Sequence, residues 1–206
     1  MKLALLFVDE SIVAVDKPAG MLSVPGRGAD KLDCVWTRVR EQFADALIVH
    51  RLDMATSGII VLGRGLAAQR ALSMAFARRE VHKRYLALVP GRLEPPAGDI
   101  DLPLVADWPN RPKQMVDMQR GKPSLTRYRR LAFDAASDTS RVELEPVTGR
   151  SHQLRVHLLA KGHPIVGDTL YGSTRPAPRL MLHACRLTLP HPRDGSLIEL
   201  RSEPPF

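Results

Sequence analysis

No stretch of this sequence longer than ten residues is free of Asp, Glu, Lys and Arg. That stretch, Met54 to Gly63, is about half of what a membrane-spanning helix needs. The apolar start, Leu3 to Val8, runs six residues into Asp9-Glu10 and offers no small-residue cleavage site, so it is not expected to act as a secretory signal. Cysteine is nearly absent: Cys34 and Cys185 stand far apart with no C-x-x-C, so a disulfide framework is excluded. Metal and nucleotide signatures are missing as well. There is no H-E-x-x-H, His152 and His157 are five apart rather than four, and neither G-x-x-x-x-G-K-[ST] nor G-x-S-x-G occurs. A soluble, cytoplasmic chain without metal or cofactor is the expectation.

What the chain does hold is positive charge. Its 206 residues carry 30 Lys+Arg against 22 Asp+Glu, a net +8 and a pI near 10.0. With 44% hydrophobic and 25% charged residues it has the usage of an ordinary globular domain, long enough to bury a sizeable core. The excess points to a polyanionic partner, nucleic acid first. Of the 30 cations 23 are Arg, a bias that genomic base composition also produces. Their placement argues against that account alone. Arg64 to Arg92 holds seven Lys/Arg and one acid, Glu80, and Arg111 to Arg130 holds seven and one acid, Asp117. Each window is therefore +6, and the remainder of the chain is −4. Solvated helix faces compete as an explanation for part of this charge.

The periodicities predict an α+β fold with a mixed, largely antiparallel sheet. Leu5–Val8 and Ile12–Val15 read as a hairpin, and Leu32 to Phe43 as a helix. Ser57 to Gly63, with Ile59, Ile60, Val61 and Leu62 in succession, is a buried strand. Ala68, Ala71, Leu72, Ala75 and Phe76 then recur at helical spacing, with Gln69, Arg70, Ser73 and Arg78 on the opposite face. Val81 to Val89 reads as a strand. Pro95, Pro96, Gly98, Pro103, Pro109 and Pro112 mark a long irregular connection of the kind that often serves function. Further strands are expected over 114–118, 124–132, 141–146, 180–189 and 197–201, with a short helix around 151–161.

Two segments concentrate reactive side chains. His50-Arg51-Leu52-Asp53-Met54-Ala55-Thr56-Ser57-Gly58 places a base, an acid and two hydroxyls just before the buried strand, where the strand would hold them rigidly. A capping turn built on Asp53 and Thr56 is the plainer alternative. Thr148 to His157 carries two Arg, two His, a Gln and two hydroxyls. Residues 151, 155 and 158 share a helix face, so Arg155 can point inward, and an inward Arg needs a carboxylate. Asp53 is a candidate for that carboxylate, and a solvated basic helix face is the alternative. A Mg²⁺-dependent nuclease would want several converging carboxylates, which the basic windows do not offer.

These residues resemble a known family. Arg51-Leu52-Asp53-Met54-Ala55-Thr56-Ser57-Gly58 is similar to the R-L-D-x-x-T-S-G signature of the RluA-type pseudouridine synthases. Lys83-Arg84-Tyr85 fits that family's K-x-Y element, and Gly149 to His157 fits G-R-x-H-Q-[IL]-R-x-H. His163-Pro164-Ile165-Val166-Gly167-Asp168 with Tyr171-Gly172 resembles its H-P-I-x-G-D element, followed by Leu182-His183-Ala184. Val15-Asp16-Lys17-Pro18-Ala19-Gly20 matches the opening strand and turn. The elements follow the family order from about residue 5 to residue 200. One motif could be chance; six in order are not.

The resemblance implies a pseudouridine synthase fold with an active-site cleft across the sheet. It also implies a single catalytic domain over 1–206, without the N-terminal S4 module that many relatives carry. The implied reaction breaks the N1–C1′ bond of a uridine, rotates the uracil and rejoins it through C5, without cofactor or metal. Asp53 is implied as the carboxylate acting at the sugar, Arg155 as the charge that keeps it ionised, and Tyr85 as the aromatic that stacks on uracil. Arg51 resembles the residue that enters the RNA stack when the base is flipped. His50, Arg150 and His152 lie in the same elements and are expected at the RNA. Asp107 to Gln114 is similar to the insert of the family's dual-specificity branch, which acts on tRNA anticodon stem-loops and a 23S rRNA stem-loop. Trp108, Asn110, Arg111 and Lys113 are thereby candidate RNA readers. Monomeric action with no protein partner is expected. A non-catalytic RNA-binding or ribosome-assembly module of the same fold explains the charge equally well, but not the joint presence of Asp53, Tyr85 and Arg155. A paralogue acting on one RNA class is the nearer alternative.

Overall fold

The computed structural model describes residues 3–26, 28, 31–173 and 175–206. The chain divides into two compact units, Met1–Lys83 with His183–Pro205, and Arg84–Leu182 with Phe206.

In the first unit, β1 (Ala4–Val8) and β2 (Ile12–Lys17) form the expected hairpin, and β2 pairs antiparallel with β4 (Ser57–Arg64). Two further strands meet β4 at its opposite ends. β3 (Ala46–Ile48) pairs antiparallel with residues 62–64, and β11 (Leu182–Pro190) runs parallel beside Ser57 and Gly58. β12 (Leu197–Arg201) pairs with β11.

The unbroken apolar run in β4 has a simple cause: both faces are covered. Ile59 and Val61 pack with Ile12 and Ala14 beneath Leu72 and Ala75 of α2 (Gly65–Ala77). Ile60 and Leu62 pack with Val13 and Val15 beneath Val35 and Val39 of α1 (Val35–Arg40). α2 turns Arg70 and Arg78 to solvent, as its periodicity requires. α1 is shorter than the expected 32–43. Cys34 caps it, with its Sγ facing the Thr37 N–H while Thr37 Oγ1 accepts the Cys34 N–H, so residues 32–34 lie outside the helix.

The second unit orders its strands β5 (His82–Pro90), β10 (Thr139–Pro146), β9 (Leu125–Asp134) and β6 (Ala97–Asp101), all antiparallel. A separate hairpin joins β7 (Leu104–Ala106) to β8 (Gln114–Val116), and α3 spans Gln153–Ala160. The Pro-rich connection is therefore not structureless, contrary to expectation. Its prolines stand outside the strands: Pro95 and Pro96 precede β6, Pro103 divides β6 from β7, and Pro109 lies in a 3-10 turn at Trp108–Asn110. β6 is held by its register with β9, a non-local pairing that local composition does not reveal.

Candidate active site

In the first unit, the loop before β4 is fastened on both sides of Asp53. The Ser23 hydroxyl donates to the Leu52 carbonyl at 2.7 Å and accepts the Leu52 N–H at 3.0 Å. On the other side, the Met54 carbonyl accepts from Lys17 Nζ at 3.0 Å and from the Gly20 N–H at 2.8 Å. Lys17 is fully buried, and its ammonium also donates to the carbonyls of Pro18 and Met21. A buried cation needs such a cage, because leaving it unsatisfied costs several kcal/mol. The Thr56 N–H closes the turn on the Asp53 carbonyl, so the backbone holds the turn. Asp53, between these fixings, is half-buried, and Arg51, just before them, is exposed.

His50 is built into the unit rather than displayed on it. Its Nε2 accepts the Val61 N–H at 2.9 Å, and its ring stacks on Phe76 at 4.6 Å. Burial, with Lys83 nearby, pushes its pKa down to about 3, so the imidazole is neutral at physiological pH. Between pH 6.5 and 3 the unfolded chain binds a proton here that the folded chain does not, so folding stability falls as pH drops through that window.

The end of the motif is fixed by close approach. Gly58 has φ +111°, and a Cβ there would meet the Ala184 carbonyl oxygen of β11 at 2.3 Å. Beside it runs a buried polar chain. Ser202 Oγ donates to Asp16 at 2.9 Å, so it accepts from His183 Nε2 at 3.0 Å, and His183 Nδ1 meets Ser57 Oγ at 2.8 Å. Neither His183 nor Ser202 was singled out as a site residue in the sequence, because each meets Ser57 or Asp16 only through the fold.

The second unit holds Arg155 on α3, 5% exposed beside Leu158, so it is not part of a solvated basic face. Its Nε and Nη2 donate to the two oxygens of Asp168 at 2.8 and 2.7 Å. Asp168 is thus a carboxylate that the buried guanidinium grips, one that the sequence does not single out for this role. Asp168 in turn accepts the N–H groups of Leu170 and Tyr171. The turn that delivers it depends on Gly167, at φ +75°, where a Cβ would lie 2.0 Å from the Arg179 carbonyl oxygen.

The Tyr171 ring lies under the Arg155 guanidinium at 4.9 Å, and its hydroxyl meets His152 Nδ1 at 2.8 Å. His152 precedes α3 in the left-handed region, at φ 54°. Gln153 ties this turn to β9, accepting from Thr148 and the Arg150 N–H and donating to Leu125 and Thr126. Arg150 is exposed, and Tyr85 is half-buried on β5 opposite Leu144.

The 107–114 insert caps the β7–β8 hairpin. Asp107 accepts from the Asn110 side chain, and the Asp107 N–H bonds the Lys113 carbonyl. Trp108 is 65% exposed, with the Arg111 guanidinium stacked 3.2 Å from its ring centre. A solvent-facing indole–guanidinium stack of this kind offers a planar surface to an unstacked base.

The two basic windows are partly neutralised. Arg64, Arg84, Arg92, Arg120, Arg129 and Arg130 pair with Asp45, Glu145, Glu94, Asp117, Glu143 and Glu94 respectively. Exposed pairs of this kind contribute little to stability and can be exchanged for phosphate contacts. Among the described residues no group of three or more His, Cys, Asp or Glu is placed to hold a metal, and no helix is long and apolar enough to cross a membrane.

Comparison with known proteins identifies the family. The family described as RNA pseudouridylate synthase matches residues 11–160. The chain is 50% identical to the dual-specificity RNA pseudouridine synthase RluA of Escherichia coli (strain K12), over 99% of this chain and 94% of that protein. It is also 50% identical to the protein of the same name in Yersinia pestis, over 98% of both. The fold is similar to that of human RNA pseudouridylate synthase domain containing 1, at a TM-score of 0.81 and 31% identity, covering 99% of this chain and 84% of that one. With the family matched across most of the chain and half of all residues shared with such relatives, this protein belongs to the RNA pseudouridine synthases and has their mixed, mostly antiparallel fold.

Proposed function

We propose that this pseudouridine synthase acts on uridines in stem-loop RNA, in the tRNA anticodon stem-loop and in a 23S rRNA stem-loop, with all 206 residues working as one catalytic domain in the cytoplasm. The observation that carries the reading is the Asp53 loop: a half-buried carboxylate on a segment fastened at Leu52 and Met54, directly after an exposed arginine. Identity of 50% over nearly the full length to relatives named for dual specificity supports the two RNA classes.

A uridine inside a stem-loop is stacked and must first be extruded, at a cost of a few kcal/mol. Arg51 fills the vacated stack with its planar guanidinium. Asp53 acts at the sugar as the N1–C1′ bond breaks, and Arg155, gripped by Asp168, is the catalytic cation of the second unit. Tyr85 stacks on the freed uracil. C1′ then bonds to C5, the C5 proton leaves and N1 gains one, so the atoms balance without a second substrate. Arg150, His152 and Lys113 contact the RNA backbone. His50 is a neutral support at the start of the Arg51–Asp53 loop.

The test of substrate choice is carbodiimide mapping of tRNA and 23S rRNA from cells with and without the gene. Stops lost from both RNA classes support dual action; a stop lost from only one replaces it with single specificity, and unchanged maps contradict the reading.

Two narrower outcomes follow from the surface. Phosphate contacts from the arginine windows make binding salt-dependent, so affinity for a tRNA transcript should fall at least about tenfold between roughly 50 and 200 mM salt. A flat filter-binding curve would argue against a phosphate-tracking face. Replacing Trp108 and Arg111 together with Ala should weaken binding about tenfold, given about 1–3 kcal/mol for each lost base–aromatic stack. Because both side chains are exposed, the melting temperature should move by no more than about 2 °C. Equal losses in binding and folding would make the insert a structural loop.

A further inference from the structure

We propose that Tyr171 is a positioning residue that couples the 107–114 insert to Arg155, so that engagement of RNA by the insert sets the guanidinium for reaction. The inference rests on the reading of the insert as an RNA reader and of Arg155 as part of the active site. Four contacts converge on this one side chain and its backbone. The hydroxyl accepts the N–H of Gln114, the residue that closes the insert and opens β8, at 2.8 Å. The same hydroxyl meets His152 Nδ1 at 2.8 Å. The ring covers one face of the Arg155 guanidinium at 4.9 Å, and the Tyr171 N–H donates to Asp168 Oδ1 at 3.2 Å. Asp168 holds the edge of that guanidinium through both oxygens.

Arg155 is thus held at its edge by Asp168 and covered on one face by Tyr171, and both supports share the turn at 168–171. Main-chain movement of the insert reaches this turn through the bond from Gln114. That contact is to a backbone N–H, so it reports where the insert's backbone sits, whichever side chain stands at 114. His152 is the second coupling point. A non-glycine residue in the left-handed region persists only where its surroundings hold it there, and the Tyr171 hydroxyl is one such hold.

Removing the hydroxyl alone separates coupling from packing. Tyr171→Phe keeps the ring over Arg155 and loses the bonds to Gln114 and His152. With tRNA transcripts carrying [5-³H]uridine, kcat should fall about tenfold while KM changes less than about twofold, the scale of a typical coupling free energy. In the Trp108→Ala/Arg111→Ala background the insert has little to transmit, so the same substitution should cost less than about twofold in kcat at saturating RNA. A kcat within twofold of the parent for Tyr171→Phe, a loss confined to KM, or an equal loss in both backgrounds would each overturn the coupling. Tyr171→Leu, which removes the ring as well, should lose more than Tyr171→Phe; equal losses would overturn the role given to the ring over Arg155. Failure of the underlying reading shows itself separately, as no tritium release by the unaltered protein.

Discussion

Asp53→Asn should retain RNA binding and lose pseudouridine formation by more than about 10³-fold, the scale expected when a reacting carboxylate is removed. The substitution is nearly isosteric. The loop that carries it is fixed by groups that do not change: the Ser23 hydroxyl on Leu52, and Lys17 and Gly20 on the Met54 carbonyl. The Thr56 N–H bonds the Asp53 carbonyl, which Asn keeps. An uncharged amide, however, can neither bond to C1′ nor take a proton from the 2′ position at neutral pH. Gel retardation with a tRNA transcript should give an affinity within about twofold of the parent, because phosphate contacts come from other residues. Measurable turnover by Asp53→Asn in a tritium-release assay would remove Asp53 from its assigned role.

The second large effect is expected at Asp168. Arg155 is 5% exposed and Asp168 1%, and two bonds of 2.7 and 2.8 Å join them. Asp168→Ala leaves a buried guanidinium without its bidentate partner and also removes the acceptor for the Leu170 and Tyr171 N–H groups. Losing one partner of such a pair costs about 3–5 kcal/mol. Urea unfolding should show that loss as a fall in the midpoint, with pseudouridine formation falling alongside it. Asp168→Asn keeps an acceptor but not the charge and should lie between the two. A loss under about 1 kcal/mol for Asp168→Ala would mean that the guanidinium is satisfied without this carboxylate.

The difference between Asp53 and Asp168 shows which parts of the site were legible in the sequence. The Asp53 motif stands immediately before a strand whose four successive aliphatic residues are visible without any structure, and two layers of core explain that run. α2 was equally plain, because its apolar spacing is local. That Asp168 meets Arg155 was not plain. Asp168 lies thirteen residues downstream, inside an element already noted for its resemblance, but only the Gly167 turn brings its carboxylate back to the helix. β6 and β7 were missed for a related reason: their residues are unremarkable, and pairing with β9 and β8 makes them strands. His50 shows the opposite case. Its position in the motif suggested contact with RNA, while its ring is occupied by Val61 and Phe76. The sequence also overstated the basic windows, since several of their arginines meet acids that lie elsewhere in the chain.

The most direct measurement is tritium release from [5-³H]uridine-labelled tRNA transcripts by the purified protein alone, with EDTA and no added cofactor. The account predicts release that levels off at a fixed whole number of tritium atoms per tRNA, with the RNA otherwise intact. RNA that binds but releases no tritium, or that is cleaved, would contradict it.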